Sequence, residues 1–100
     1  MAEPLPLSRR AASARLLFDT ARRRRLKATF SDGTVDDLIT EKGFTHAWRV
    51  TGLRRGRPET IHGWARSEPL AKMAAGLHMR SAAKHWRDVK AEIVEVEAML

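Results

Sequence analysis

The chain contains no cysteine, no apolar run of membrane-crossing length and no histidines at ligand spacing, and each absence removes a class of function. Without Cys there is no disulfide framework and no thiolate to act as nucleophile or ligand. A helix that crosses a bilayer needs about 20 consecutive apolar residues. No stretch approaches that length, so a soluble, cytoplasmic protein is expected. His46, His62, His78 and His85 form neither an HxxxH nor an HxH pair, so no metal is expected. Gly52 and Gly56 belong to a hairpin and lack the strand-to-helix context of a phosphate loop. Asp36 and Asp37 are neighbours that on a helix would point about 100° apart, and no Ser-His-acid spacing stands out. A non-enzyme without a cofactor follows.

Acids are also scarce where the bases are densest. Nineteen Lys and Arg face twelve Asp and Glu, for a net charge of +7. Residues 1–30 carry eight bases and only Glu3 and Asp19, a net of +6, whereas residues 31–60 balance five against five. The excess therefore belongs to the N-terminal third. Arginine outnumbers lysine 14 to 5, and guanidinium is the better phosphate fork. GC-rich coding also enriches Arg and Ala together, so the asymmetry along the chain carries more weight than the preference for Arg.

One hundred residues suit a single domain. The core is thin, because 15 of the apolar residues are alanine, and chains this small are often marginal or oligomeric. An α+β fold is expected, in which residues 1–30 form a basic N-terminal arm or helix with a short strand and residues 31–100 form the compact part.

Pro4 and Pro6 make the first residues extended. Ser8 is a candidate N-cap for a helix whose stripe is Ala14, Leu17, Phe18 and Ala21. An Arg-rich, Ser-bearing start resembles a transit peptide, although Glu3 and Asp19 argue against one. Leu26, Ala28 and Phe30 alternate with polar residues as in a strand, and Ser31-Asp32-Gly33 supplies a turn. Thr34 and Asp37 look like a capping pair that opens a short helix closed by Lys42 and Gly43. Residues 44–67 read as a hairpin around a loop at 54–58. Centring that loop pairs Val50 with Ile61, Trp48 with Gly63, Arg49 with His62 and Ala47 with Trp64. Phe44, His46, Trp48, Val50, Ile61 and Ala65 then share the core face.

Ser67-Glu68-Pro69 starts a helix expected over 68–85, with Leu70, Met73, Ala74, Leu77 and Ser81 inward. Trp86-Arg87-Asp88 reads as a loop anchor. The C-terminal stretch alternates as a strand with a break near Ile93-Val94. Met79, Ala82, Trp86, Val89, Ile93, Val96 and Leu100 also fit a heptad seam, but β-branched residues favour the strand.

Two constellations point to an anionic partner. The first is Arg22, Arg23, Arg24 and Arg25, with Arg9, Arg10, Arg15 and Lys27 nearby, which together could neutralise several phosphates; a solvated face is the plainer reading. The second is the outer hairpin face, where Arg49, His62, Trp64 and Arg66 join the loop residues Arg54, Arg55 and Arg57 in mixing cations with an aromatic. Glu92, Glu95 and Glu97 on a third strand could instead pair with Arg49 or Arg66. A helix-turn-helix over residues 36–53 fails, because Lys42, Arg49 and Gly52 fall where that motif is apolar. The sequence therefore predicts an accessory protein that binds DNA or RNA mainly through phosphate contacts. The alternative is an assembly subunit, an oligomer or particle component whose arginines meet acidic protein surfaces.

Overall fold

A computed structural model of the chain describes residues 23–99. They form β1 (Arg24–Thr29), β2 (Val35–Thr40), β3 (His46–Arg54), β4 (Arg57–Ala65), α1 (Glu68–Ala82), β5 (Arg87–Glu95) and β6 (Glu97–Met99). The fold is α+β, with antiparallel sheets ordered β4-β3-β5 and β2-β1-β6. The helix expected at residues 8–21 lies outside the described residues.

The β3–β4 hairpin has the expected register: Ala47 faces Trp64, Trp48 faces Gly63, Arg49 faces His62 and Val50 faces Ile61. Its connection is tighter than the expected loop. Arg54 pairs with Arg57 across a two-residue turn in which Arg55 and Gly56 have φ of 53° and 78°. Positive φ at both central residues is what the right-handed strand twist demands of so short a hairpin. β4 and β5 both run antiparallel to β3, so they are parallel to each other and need a crossover. That crossover is α1.

Ser67 caps α1, its hydroxyl accepting from the Leu70 N–H at 3.3 Å, with Glu68 in the first turn and Pro69 just inside. The helix ends at Ala82, three residues before the expected stop. The Ala82 carbonyl accepts from both the His85 N–H at 2.9 Å and the Trp86 N–H at 2.8 Å, which closes the end. Its buried side also differs from expectation. Ala71, Ala75 and Ala82 face Trp48, Val50 and Ala65, while Leu70, Met73 and Leu77 are 49, 62 and 56% exposed. The sheet supplies the bulk here: Trp48, Val50, Ile61, Trp86, Val89 and Ile93 fill the space beneath the helix, so the helix contributes its smallest side chains.

The second sheet covers the opposite face of the first. Ala28 and Phe30 of the β1 segment pack on Ala47, with Trp64, Val94 and Val96 around them. β2 replaces the short helix expected after Thr34. Asp32 Oδ1 accepts from both the N–H and the hydroxyl of Thr34, at 3.0 and 2.6 Å, so that hydroxyl stabilises the turn and caps no helix. Gly33, at φ 87°, completes a three-residue connection closed by the Phe30 N–H on the Thr34 carbonyl at 2.9 Å. Val35, Ile39 and Thr40 then favour extended backbone. The expected break near Ile93-Val94 falls slightly later, at Val96. There the chain leaves one sheet for the other, and the Val96 N–H donates to the Thr45 carbonyl at 2.9 Å.

Candidate nucleic-acid interface

Nine residues of β3 extend roughly 30 Å, whereas the fifteen residues of α1 rise only about 22 Å. The helix starts near the far end of the hairpin and runs back toward its turn, so the hairpin tip overhangs the last helical turn. Alternation from Trp48 and Val50 carries Gly52 and Arg54 onto the helix-facing side, and Arg57 faces Arg54. A cavity of about 380 Å³ opens under the overhang, lined by Arg54, Arg55, His85 and Trp86. Beside it a groove of about 430 Å³ is lined by Arg54, Arg55, Arg57 and Glu59.

Trp86 forms the floor of the cavity. It is half-buried against the core that includes Val50 and Ala82. Gly52 lets it lie close, since a Cβ there would stand 3.1 Å from Trp86 Cε3 and 3.0 Å from the Arg87 carbonyl. The strand pairing also shifts between Thr51 and Leu53, opposite Asp88 at φ 53°, and sets Arg87 across from Leu53. Arg54, Arg55, Arg57 and Arg87 therefore gather at one end of the sheet. Among the described residues none of the four forms an ion pair. The C-terminus of α1 adds about half a negative charge here, far less than four guanidinium groups.

The other expected site residues are placed differently. Arg24 and Arg25 lie in β1, so the strand splits them between its two faces. Arg25 sits 3.5 Å from Asp37, and Lys27 stands between Asp37 and Glu97 on its two neighbouring strands. Arg24 lines a separate cavity that also contains His46 and Glu95. Trp64 packs between the sheets with Ala28 and Phe30, so the indole expected on an outer stacking surface belongs to the second core. Arg9, Arg10, Arg15 and Arg22 lie outside the described residues.

Arg49, also expected on that outer face, joins the two sheets. Its Nη2 donates to Glu92 Oε1 at 3.0 Å and its Nη1 to Thr34 Oγ1 at 2.7 Å, with Asp32 at 3.1 Å and the Phe30 ring 4.5 Å away. Glu92 also accepts from the Ser31 N–H at 2.8 Å. Burial opposes the charge on Arg49, but the hydrogen bonds and charges of Asp32 and Glu92 outweigh it and raise its pKa. The Thr34 hydroxyl and N–H, followed by Arg49, hold Asp32 well below the usual carboxylate range. The cross-strand pair that the sequence offered for Arg49 is therefore present, and it is structural. His85, Trp86 and Arg87 were not among the expected site residues. The cue for them was the length mismatch between a nine-residue strand and a shorter helix.

No family model, curated protein or solved structure matches this chain.

Proposed function

We propose that this protein is a non-enzymatic accessory factor that binds nucleic acid, mainly through phosphate contacts made by Arg54, Arg55, Arg57 and Arg87. The N-terminal arginines, Arg9, Arg10, Arg15 and Arg22 to Arg25, add to its positive field. One observation carries this reading: at the turn, arginine stands where local structure favours other residues. Position 55 has the positive φ that suits Asn, Asp or Gly. Arg54 and Arg57 are directly opposed, and like charges in that position repel. Local rules are broken in this way at functional sites, and a polyanion relieves the repulsion. Contacts to four phosphates give a slope of about −3 to −4 in log affinity against log salt.

The test is a mobility shift with DNA and RNA oligonucleotides at about 50 and 200 mM salt, using the wild type and the Arg54→Glu/Arg55→Glu/Arg57→Glu variant. These side chains are exposed, so circular dichroism of the variant should match wild type while affinity falls and depends less on salt. A protein that binds neither polymer at low salt would overturn the proposal.

A second reading, an interaction subunit, is favoured by the exposed stripe of Leu70, Met73 and Leu77. Arg80 and Lys84 continue that side, while the one acid of the helix, Glu68, is held by Lys72 at 2.9 Å. A partner helix with an apolar stripe and acidic flanks fits this rim. A second copy packed in parallel fits less well, because Arg80 and Lys84 would then meet their own counterparts. A Leu77→Glu variant that loses a partner yet keeps nucleic-acid affinity would support this role.

A further inference from the structure

We infer that the recess under the hairpin tip takes an unpaired nucleotide, its base stacked on Trp86 and its flanking phosphates on Arg54, Arg55 and Arg57. This rests on the nucleic-acid reading above and specifies the form of polymer that the site prefers. The recess, about 380 Å³, is at the small end of ligand pockets. It is large enough for one flat ring system and too small for a duplex. Its floor is an indole supported from behind: Gly52 brings β3 against the ring and the core packs on one side, while the Ala82 carbonyl accepts from the Trp86 backbone N–H. A base can reach such a floor only if it is unpaired and unstacked from its neighbours.

The adjoining groove shares Arg54 and Arg55 with the recess and continues to Arg57. A strand leaving the stacked base therefore runs straight onto cations. Aromatic floor and basic track in sequence are the two parts of single-strand recognition, and stacking tolerates any base. His85, the fourth residue of the lining, offers a ring nitrogen beside the base. The site is thus expected to discriminate by strandedness more than by sequence.

The experiment uses the full chain with fluorescein-labelled oligo(dT) and oligo(U) of about 12 nucleotides, against a duplex of equal length, at one low salt concentration. Single strands should bind at least about tenfold more tightly, and binding should quench tryptophan fluorescence. Trp86→Leu should cost single-strand affinity about tenfold while leaving duplex affinity unchanged. Because Trp86 also closes the core, that variant is paired with Trp86→Phe, which keeps an aromatic face and most of the affinity. It is also paired with Arg54→Gln/Arg55→Gln, whose side chains are exposed. Equal affinity for single strand and duplex, unaffected by Trp86→Phe and Trp86→Leu, overturns the recess as a base site and leaves the phosphate reading standing. Absence of binding to both polymers overturns that reading with it.

Discussion

Single residues show most directly where this protein favours packing and where it favours charge. Gly63 is fixed by Trp48: a Cβ at that position would lie 2.7 Å from Trp48 Cζ2, and the indole has little room to retreat because its ring is stacked 4.9 Å from that of His78. Gly63→Ala should therefore destabilise the fold by about 1–3 kcal/mol through overpacking, read as a lower urea midpoint. An unchanged midpoint would mean that the indole shifts freely. Arg55 is the opposite case. Its positive φ strains an L residue, so Arg55→Asn should stabilise the hairpin by about 0.5–1 kcal/mol and weaken nucleic-acid binding. Gains in both stability and affinity would remove the argument that arginine is kept there for its charge.

At the scale of elements, the sequence revealed those parts whose signals come from neighbouring residues. The hairpin register followed from the symmetric placement of Trp48 and Gly63 about a Gly-containing turn. The helix start followed from Ser67-Glu68-Pro69. β2 was hidden because Thr34 and Asp37 have the spacing of a helix cap, while the partner that claims the Thr34 hydroxyl, Asp32, acts through the turn. The β1–β2 turn is in turn fastened to β3 by Arg49, a contact across fifteen or more residues that local pattern does not encode. Arg49, its side chain only 12% exposed, holds Asp32 and Glu92 together. Arg49→Met should lower the midpoint of chemical denaturation, because it removes the contact that joins the two sheets. Asp32, bonded first by the Thr34 hydroxyl and N–H and then by Arg49, also sets an acid dependence. Asp32 has a folded pKa below its ordinary value of about 3.9. Its stabilisation is therefore complete above that ordinary value and disappears as pH falls through the folded one. The wild type should lose stability below about pH 4 more steeply than Asp32→Asn, and parallel acid limbs would remove Asp32 from the account.

Across the whole molecule, composition located the charge correctly along the chain but did not show which charges are free in space. The N-terminal excess drew attention to Arg22 to Arg25, yet strand pairing sets Arg25 beside Asp37 and brings Arg24 near Glu95. Arg54, Arg55 and Arg57 line one groove at the other end of the sheet, with Arg87 on the neighbouring strand, and none of the four forms an ion pair among the described residues. The helix misled for a related reason. Periodicity selects the largest apolar side chains for burial, but a sheet already filled by tryptophans and branched residues admits alanines, and Leu70, Met73 and Leu77 turn outward. The two basic zones lie at opposite ends of β3, roughly 27 Å apart, far enough for their effects on binding to be independent. Reversing Arg54, Arg55 and Arg57 to Glu should make the single-strand salt slope shallower by about 2, at about 0.7 per phosphate. Reversing Arg23 and Arg24 should change it by less than about 1, because Glu95 already offsets part of their field. The two losses in log affinity should then add in the combined variant. A larger change from Arg23 and Arg24 would move the principal contact to the N-terminal end of the molecule, and with it the site at which a polyanion first docks.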